Sequence, residues 1–162
     1  MTLRGKFFEY FRRPLRDWYQ ERRLRRAVAS GLPLNIVLGG TAPAPDWFGS
    51  DIGFFDATRA AAWAELIGRE AAVDRLLAEH VFEHIPPELI PAVLDNAFRY
   101  LKPGGTIRIA VPDGHNPNPD YIRNVEPGGT GPGADDHKQL FTLESLSAVL
   151  DAAGFRVEPG EW

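Results

Sequence analysis

The sequence predicts an α/β fold built on a mostly parallel sheet, and three observations carry that reading. Val73 to Val81 is mostly apolar and has no helical stripe, which is how a buried parallel strand feeding a loop reads. Leu89, Ile90, Val93, Leu94, Ala97, Phe98 and Leu101 then fall on one face of a helix. Thr106 to Val111 follows as a short β-branched run. A strand, a crossover helix and a strand make a βαβ unit, which is right-handed in nearly all folds and leaves its ligand crevice at the carboxyl ends of the strands.

Length and composition bound the rest. With 162 residues, 44% hydrophobic, the chain can bury one core of its own. It contains no cysteine, which excludes disulfides, thiolate nucleophiles and Cys-ligated zinc and is compatible with a reducing cytoplasm. No run approaches the ~18 apolar residues of a membrane span, and the N-terminus lacks a signal peptide's apolar stretch. The expected localisation is therefore cytoplasmic. The net charge of -4 hides an asymmetry: residues 1–30 carry nine Lys/Arg against three Asp/Glu, and the remainder nine against nineteen. This divides the chain into a basic N-terminal segment, 1–30, and an acidic domain, 31–162.

Phe7, Phe8, Phe11, Leu15, Trp18 and Tyr19 recur at helical spacing among arginines, so residues 6–29 read as one amphipathic helix, broken or kinked near Pro14. Two readings of it stay open. Its aromatic face docks on the domain and the arginines are solvated, or Arg22, Arg23, Arg25 and Arg26 meet an anionic partner such as a membrane surface. No recognition-helix or base-stacking pattern favours nucleic acid.

Leu34 to Leu38 is the expected first strand, ending at Gly39, Gly40 and Thr41, where glycine lets a ligand approach the backbone. Neither G-x-G-x-x-G nor a G-x-x-x-x-G-K-[ST] phosphate loop is present. Trp47 to Ile52 is the second strand, and too little chain separates it from the glycines for a helix. Asp51 at its end reads equally as a ligand for ribose hydroxyls or as a turn residue before Gly53. Phe54 to Ala57 suggests a further short edge strand with Asp56 at its end, and Ala60 to Ile67 a helix. In the central unit, Pro86 and Pro87 suit a first helical turn, Pro91 marks where regular hydrogen bonding begins, and Lys102 to Gly105 should end the helix with a left-handed glycine cap. Residues 113–138, rich in Gly, Pro, Asn and Asp, are either a substrate lid or disordered. Thr142 caps a last helix that stops at Gly154, and Phe155 to Val157 starts another strand.

The densest chemistry is His80-Val81-Phe82-Glu83-His84. The letters match H-x-x-E-H, the inverted zinc-hydrolase motif, which needs both histidines on one helix. Ile85-Pro86-Pro87 leaves barely a turn of helix there and no third ligand is identifiable, so zinc hydrolase is a minor alternative and no metal ligand is assigned. The competing readings are a polar cluster capping the next helix, or a pair of histidine general bases, His80 and His84, at the crevice edge. His115 and His137 on the long loop rank behind them.

Together, VDRLLAEHVFEHI, FRYLKPGGTIRIAVPD and DHKQLFTLESLSAVLDAAGF resemble the class I S-adenosylmethionine-dependent methyltransferases, specifically the small type-11-like group, over about residues 34–158. The resemblance implies a Rossmann-like, doubly wound sheet with flanking helices, and S-adenosylmethionine across the carboxyl edge of the strands. It implies Gly39 and Gly40 under the methionine part, Asp51 on the ribose with Ile52 beside it, Asp56 and Ala57 near the adenine, and Glu79 with His80 bordering the methyl group. The family's usual G-x-G is here Gly39-Gly40-Thr41, and the chain ends at Trp162 before room for a last strand. An open sheet edge would invite a homodimer. The implied activity is methyl transfer to a small-molecule or sugar- or lipid-linked acceptor. The alternative is a noncatalytic module of the same fold that binds a membrane or partner through its basic helix.

Overall fold

The computed structural model describes residues 3–160, with side chains from residue 14 onward. Helix α1 (Leu3–Ser30) leads into four strands, β1 (Asn35–Val37), β2 (Trp47–Gly49), β3 (Val73–Glu79) and β4 (Leu101–Ala110), all parallel and ordered β2-β1-β3-β4. The helices between and after them are α2 (Ala60–Leu66), α3 (Ile90–Tyr100), α4 (Pro119–Val125) and α5 (Leu143–Ala152). The α/β architecture expected from the βαβ pattern is present, as a four-stranded sheet among the described residues.

The central unit forms for the reasons its pattern gives. Ile90, Val93, Leu94 and Ala97 are buried against the sheet, while Leu89 and Phe98 at the stripe's margins stay exposed. Proline sits in the first turn of α3, where its missing N–H costs nothing. The helix does not end on a glycine cap as expected. It stops at Tyr100, and Leu101 is already extended, so Lys102 to Gly105 belong to β4. They bulge there, because Leu101 pairs with Val73 but Thr106 with Arg75. Lys102 Nζ reaches both oxygens of Asp74 at 2.7 Å, and the Leu34 N–H donates to Asp74 Oδ2 at 2.8 Å. One carboxylate thus joins the start of β1, β3 and the bulge. Desolvation pushes the Asp74 carboxyl up, but the Lys102 ammonium and the Leu34 N–H outweigh it and hold it below the ordinary value.

Helix α1 corrects two expectations. It runs through Pro14 without a break, losing one backbone bond while its neighbours keep the ladder. Among the described side chains its docking face is also not aromatic. Gln20, Leu24 and Ala27, at i, i+4 and i+7, are buried, whereas Leu15, Trp18 and Tyr19 are 70%, 55% and 58% exposed. Two arginines contact the rest of the fold while remaining solvent-accessible: Arg23 lies over the Phe48 ring and donates to the Pro45 carbonyl, and Arg25 donates to the Glu65 carbonyl. The approach to β2 is close enough that a Cβ on Gly49 would lie 2.1 Å from Gln20 Oε1. The side chains of Phe7, Phe8 and Phe11 lie outside the described residues.

Two expected strands are absent among the described residues. Phe54 and Phe55 donate back to the Asp51 carbonyl, which closes a turn and sends Phe55 into the core beside Trp63, ring centroids 4.9 Å apart. Phe155 to Val157 is irregular, and Phe155 packs edge-on against Phe98 instead of pairing with a neighbouring strand. Residues 113–138 are ordered. They contain α4, capped by Asn118, and a 3₁₀ turn at Ala134–Asp136.

Candidate active site

Because all four strands are parallel, their carboxyl ends share one edge of the sheet, and every residue singled out as a ligand falls there or in the loops leaving it. Gly39 follows β1 with φ +66°, and a Cβ on it would meet Val81 Cγ2 at 3.0 Å, so only glycine fits this turn without strain. Gly40 bridges to Ser50, whose hydroxyl and amide both donate to the Val37 carbonyl, at 2.7 and 2.9 Å. That brace sets the glycine turn beside the end of β2, where Asp51 stands. The Asp51 carboxylate is already engaged: Arg16 of α1 donates to Oδ2 at 2.9 Å and the Gly53 N–H to Oδ1 at 3.2 Å. Ile52 is 70% exposed beside it.

Asp56 accepts from the Thr58 hydroxyl and amide, and the Ala57 carbonyl accepts from both Trp63 Nε1 and Asn96 Nδ2, which fixes the backbone there. Glu79 ends β3 in an ion pair with Arg108. His80 follows it at φ +54°, a left-handed conformation in which a side chain is strained and which recurs at functional positions. Its Nδ1 lies 3.2 Å from Glu83 Oε1, so the carboxylate orients the ring and leaves Nε2 outward.

The other half of the site is a pocket of about 450 Å³, walled by His80, Glu83, His84, Tyr121, Asn124 and His137 among others. Its far wall is the segment expected to be a lid or disordered. That segment is pinned to the 3₁₀ turn at Phe82–His84: the Lys138 N–H donates to the Glu83 carbonyl at 2.7 Å and Gln139 Nε2 to the Ile85 carbonyl at 2.9 Å. The ties bring His137 against His84, ring centroids 4.7 Å apart and nearly perpendicular. The H-x-x-E-H helix does not exist, because the prolines after Ile85 leave only that single tight turn. Glu83 is buried to 1% exposure, and its Oε2 has no hydrogen-bond partner. Sequence reasoning places His137 behind His80 and His84 and gives Tyr121 no role; nothing in local spacing marks either, since the tertiary fold brings them in.

A methyltransferase-domain profile matches residues 38–159. Among solved structures, a SAM-dependent methyltransferase from Archaeoglobus fulgidus is 22% identical with a TM-score of 0.57, covering 96% of this chain and 75% of that one. A SAM-dependent methyltransferase from Thermotoga maritima, described as a possible histamine N-methyltransferase, is 18% identical with a TM-score of 0.56, covering 93% and 80%. No protein of curated function matches. The parallel sheet with its flanking helices is that of the class I S-adenosylmethionine-dependent methyltransferase fold. The chain belongs to the methyltransferase-domain family, whose type-11-like group its motifs resemble; S-adenosylmethionine is the cofactor that this resemblance implies. The donor set fits that group: a glycine turn that a Cβ would obstruct, braced beside a carboxylate able to accept from vicinal hydroxyls.

Proposed function

We propose that this protein transfers a methyl group from S-adenosylmethionine to an oxygen or nitrogen nucleophile of a small molecule held in the pocket beside β3. The observation that carries this is the placement of two different sites on one sheet edge: the glycine turn with Asp51 at β1 and β2, and the histidine-lined pocket just past β3. When bound, the cofactor supplies an electrophilic methyl on a sulfonium. The chain's own part is alignment and exclusion of water, which account for much of the rate of a direct displacement. Gly39 and Gly40 let the methionine part lie against the backbone, Asp51 accepts from the ribose hydroxyls, Ile52, Asp56 and Ala57 flank the adenine, and Glu79 borders the methyl. His80, oriented by Glu83, takes the acceptor's proton on Nε2; His84 lines the same pocket.

Calorimetry with S-adenosylmethionine and S-adenosylhomocysteine tests the first half, and transfer of a labelled methyl to a panel of small hydroxyl and amine acceptors tests the second. Heat with both ligands and label on an acceptor support the reading. Heat with neither leaves a noncatalytic module. A second property rests on α1, where Leu15, Trp18 and Tyr19 stand exposed on a strongly basic helix: we infer peripheral contact with an anionic membrane. Vesicles containing anionic lipid should co-sediment with the protein and release it when Arg22 and Arg26 are replaced by glutamine; no co-sedimentation overturns that inference.

A further inference from the structure

Glu83 poses a physical problem that methyl transfer does not solve. A carboxylate buried to 1% exposure is costly unless it is paired or binds a cation, and among the described residues no Lys or Arg forms a salt bridge with it. Its Oε1 faces His80 Nδ1, but Oε2 has no partner. The groups beside it are the two imidazoles of His84 and His137, and one ligand atom from each of the three residues lies within 4.8 Å of the others.

The histidines are arranged to present lone pairs. His137 Nδ1 lies 2.6 Å from the Val125 carbonyl, which can only accept, so Nδ1 carries the proton and Nε2 is the basic nitrogen. His84 Nδ1 lies 3.5 Å from Asp136 Oδ2. A histidine with its second nitrogen on a carbonyl or carboxylate is the arrangement that orients imidazoles toward metals. The Lys138 and Gln139 bonds to the Glu83 and Ile85 carbonyls hold the two halves of the set together.

We propose that Glu83, His84 and His137 bind one divalent first-row transition metal ion of the zinc class. Two imidazoles and one carboxylate are a donor set such ions take, with a fourth position left open. Metal arms of ~2.1 Å at tetrahedral angles put ligand atoms about 3.4 Å apart. The assignment inverts the H-x-x-E-H pattern: Glu83 becomes a ligand rather than a base, His137 replaces His80, and His80 stays free for the acceptor. All three residues line the pocket, so a position left open on the ion would be within reach of a molecule bound there. If the methyl-transfer reading above holds, on which this last step rests, the acceptor is a molecule that offers the metal an oxygen, a hydroxyl or carboxylate beside the methylated atom.

The test reads metal binding without cofactor or acceptor. Chelator-treated protein is titrated with Co²⁺ by visible absorption and with Zn²⁺ by calorimetry. One equivalent should bind, with the absorption of a four- or five-coordinate Co²⁺ site. Glu83→Gln and His137→Ala should each weaken binding at least tenfold, while His115→Ala, outside the set, should not. Absence of stoichiometric binding by the unaltered protein overturns the proposal, as does unchanged affinity in His137→Ala. If Glu83→Gln loses its near-UV circular dichroism, the His137 variant decides alone. Metal binding without heat from S-adenosylmethionine would sink the methyltransferase reading and spare the metal site; the reverse result would do the opposite.

Discussion

The proposed cofactor edge and the proposed acceptor pocket lie side by side yet are made of different materials. The edge at β1 and β2 is mostly backbone: a glycine turn, a hydrogen-bonded brace through Ser50, and the carbonyl of Ala57 held by two donors. The carboxylate there is engaged in place, Asp51 by Arg16, as is Glu79 at the end of β3 by Arg108. The pocket is side chain: imidazoles and a buried carboxylate drawn from segments on either side of α3 and β4, with one oxygen left without a partner. Backbone geometry is set by the fold and suits a ligand common to a family. Side chains on a separately tied segment can vary without disturbing the sheet, which is where acceptor choice belongs.

Separate substitutions should therefore divide the two halves. The largest effect is expected from His80→Ala, which should lower the methyl-transfer rate on the order of 100-fold while disturbing cofactor affinity less than any change at Asp51. Equal losses in rate and cofactor affinity would break the comparison. Asp51→Ala should weaken S-adenosylmethionine binding about 10- to 30-fold in calorimetry, the loss of charge-assisted bonds to a ribose. Normal affinity in that variant would remove Asp51 from the site. Asp74→Asn tests the scaffold beneath both halves and should lower unfolding stability by about 1 kcal/mol in a denaturant titration. Because the Asp74 carboxyl is held below its ordinary value, its contribution is present above about pH 4, the range of the unfolded carboxyl, and is lost as pH falls through the lower folded value. The stability gap between the two proteins should close in acid. The smallest effect is Arg16→Ala, which removes one partner that competes with a ribose for Asp51 and should tighten cofactor binding up to about fivefold.

The same contrast governs what could be read from the sequence. β3, α3 and β4 declare themselves because periodicity is local: Val93, Leu94 and Ala97 must share a face whatever surrounds them. The positions of Gly39 and Asp51 just past strand ends are legible because strand ends and breakers are local too. Phe54 to Ala57 and Phe155 to Val157 have strand composition but lack a neighbour to pair with, and pairing is not a property of the segment. The pairing of His84 with His137 is invisible for a related reason. Their meeting depends on the Lys138 and Gln139 bonds to the Phe82–His84 turn and its Ile85 cap, and no spacing rule spans an intervening helix and strand. Even the burial of Glu83, the observation on which the metal site turns, is hidden in a motif whose letters suggest a helix that the following prolines forbid.

Gly49 carries one more consequence, in the dynamics of the fold. The side chain of Gln20 occupies the space a Cβ would need there, so α1 lies directly on the outermost strand of the sheet. A three-residue strand has few bonds of its own to resist opening, and the Gln20 side chain of a helix that precedes the sheet in sequence packs against it. The two elements should open as a single cooperative unit. Hydrogen exchange at Phe48 and Gly49 would then report on the docking of α1, and Gly49→Ala should release both together, linking the order of Asp51 to whether the helix is seated.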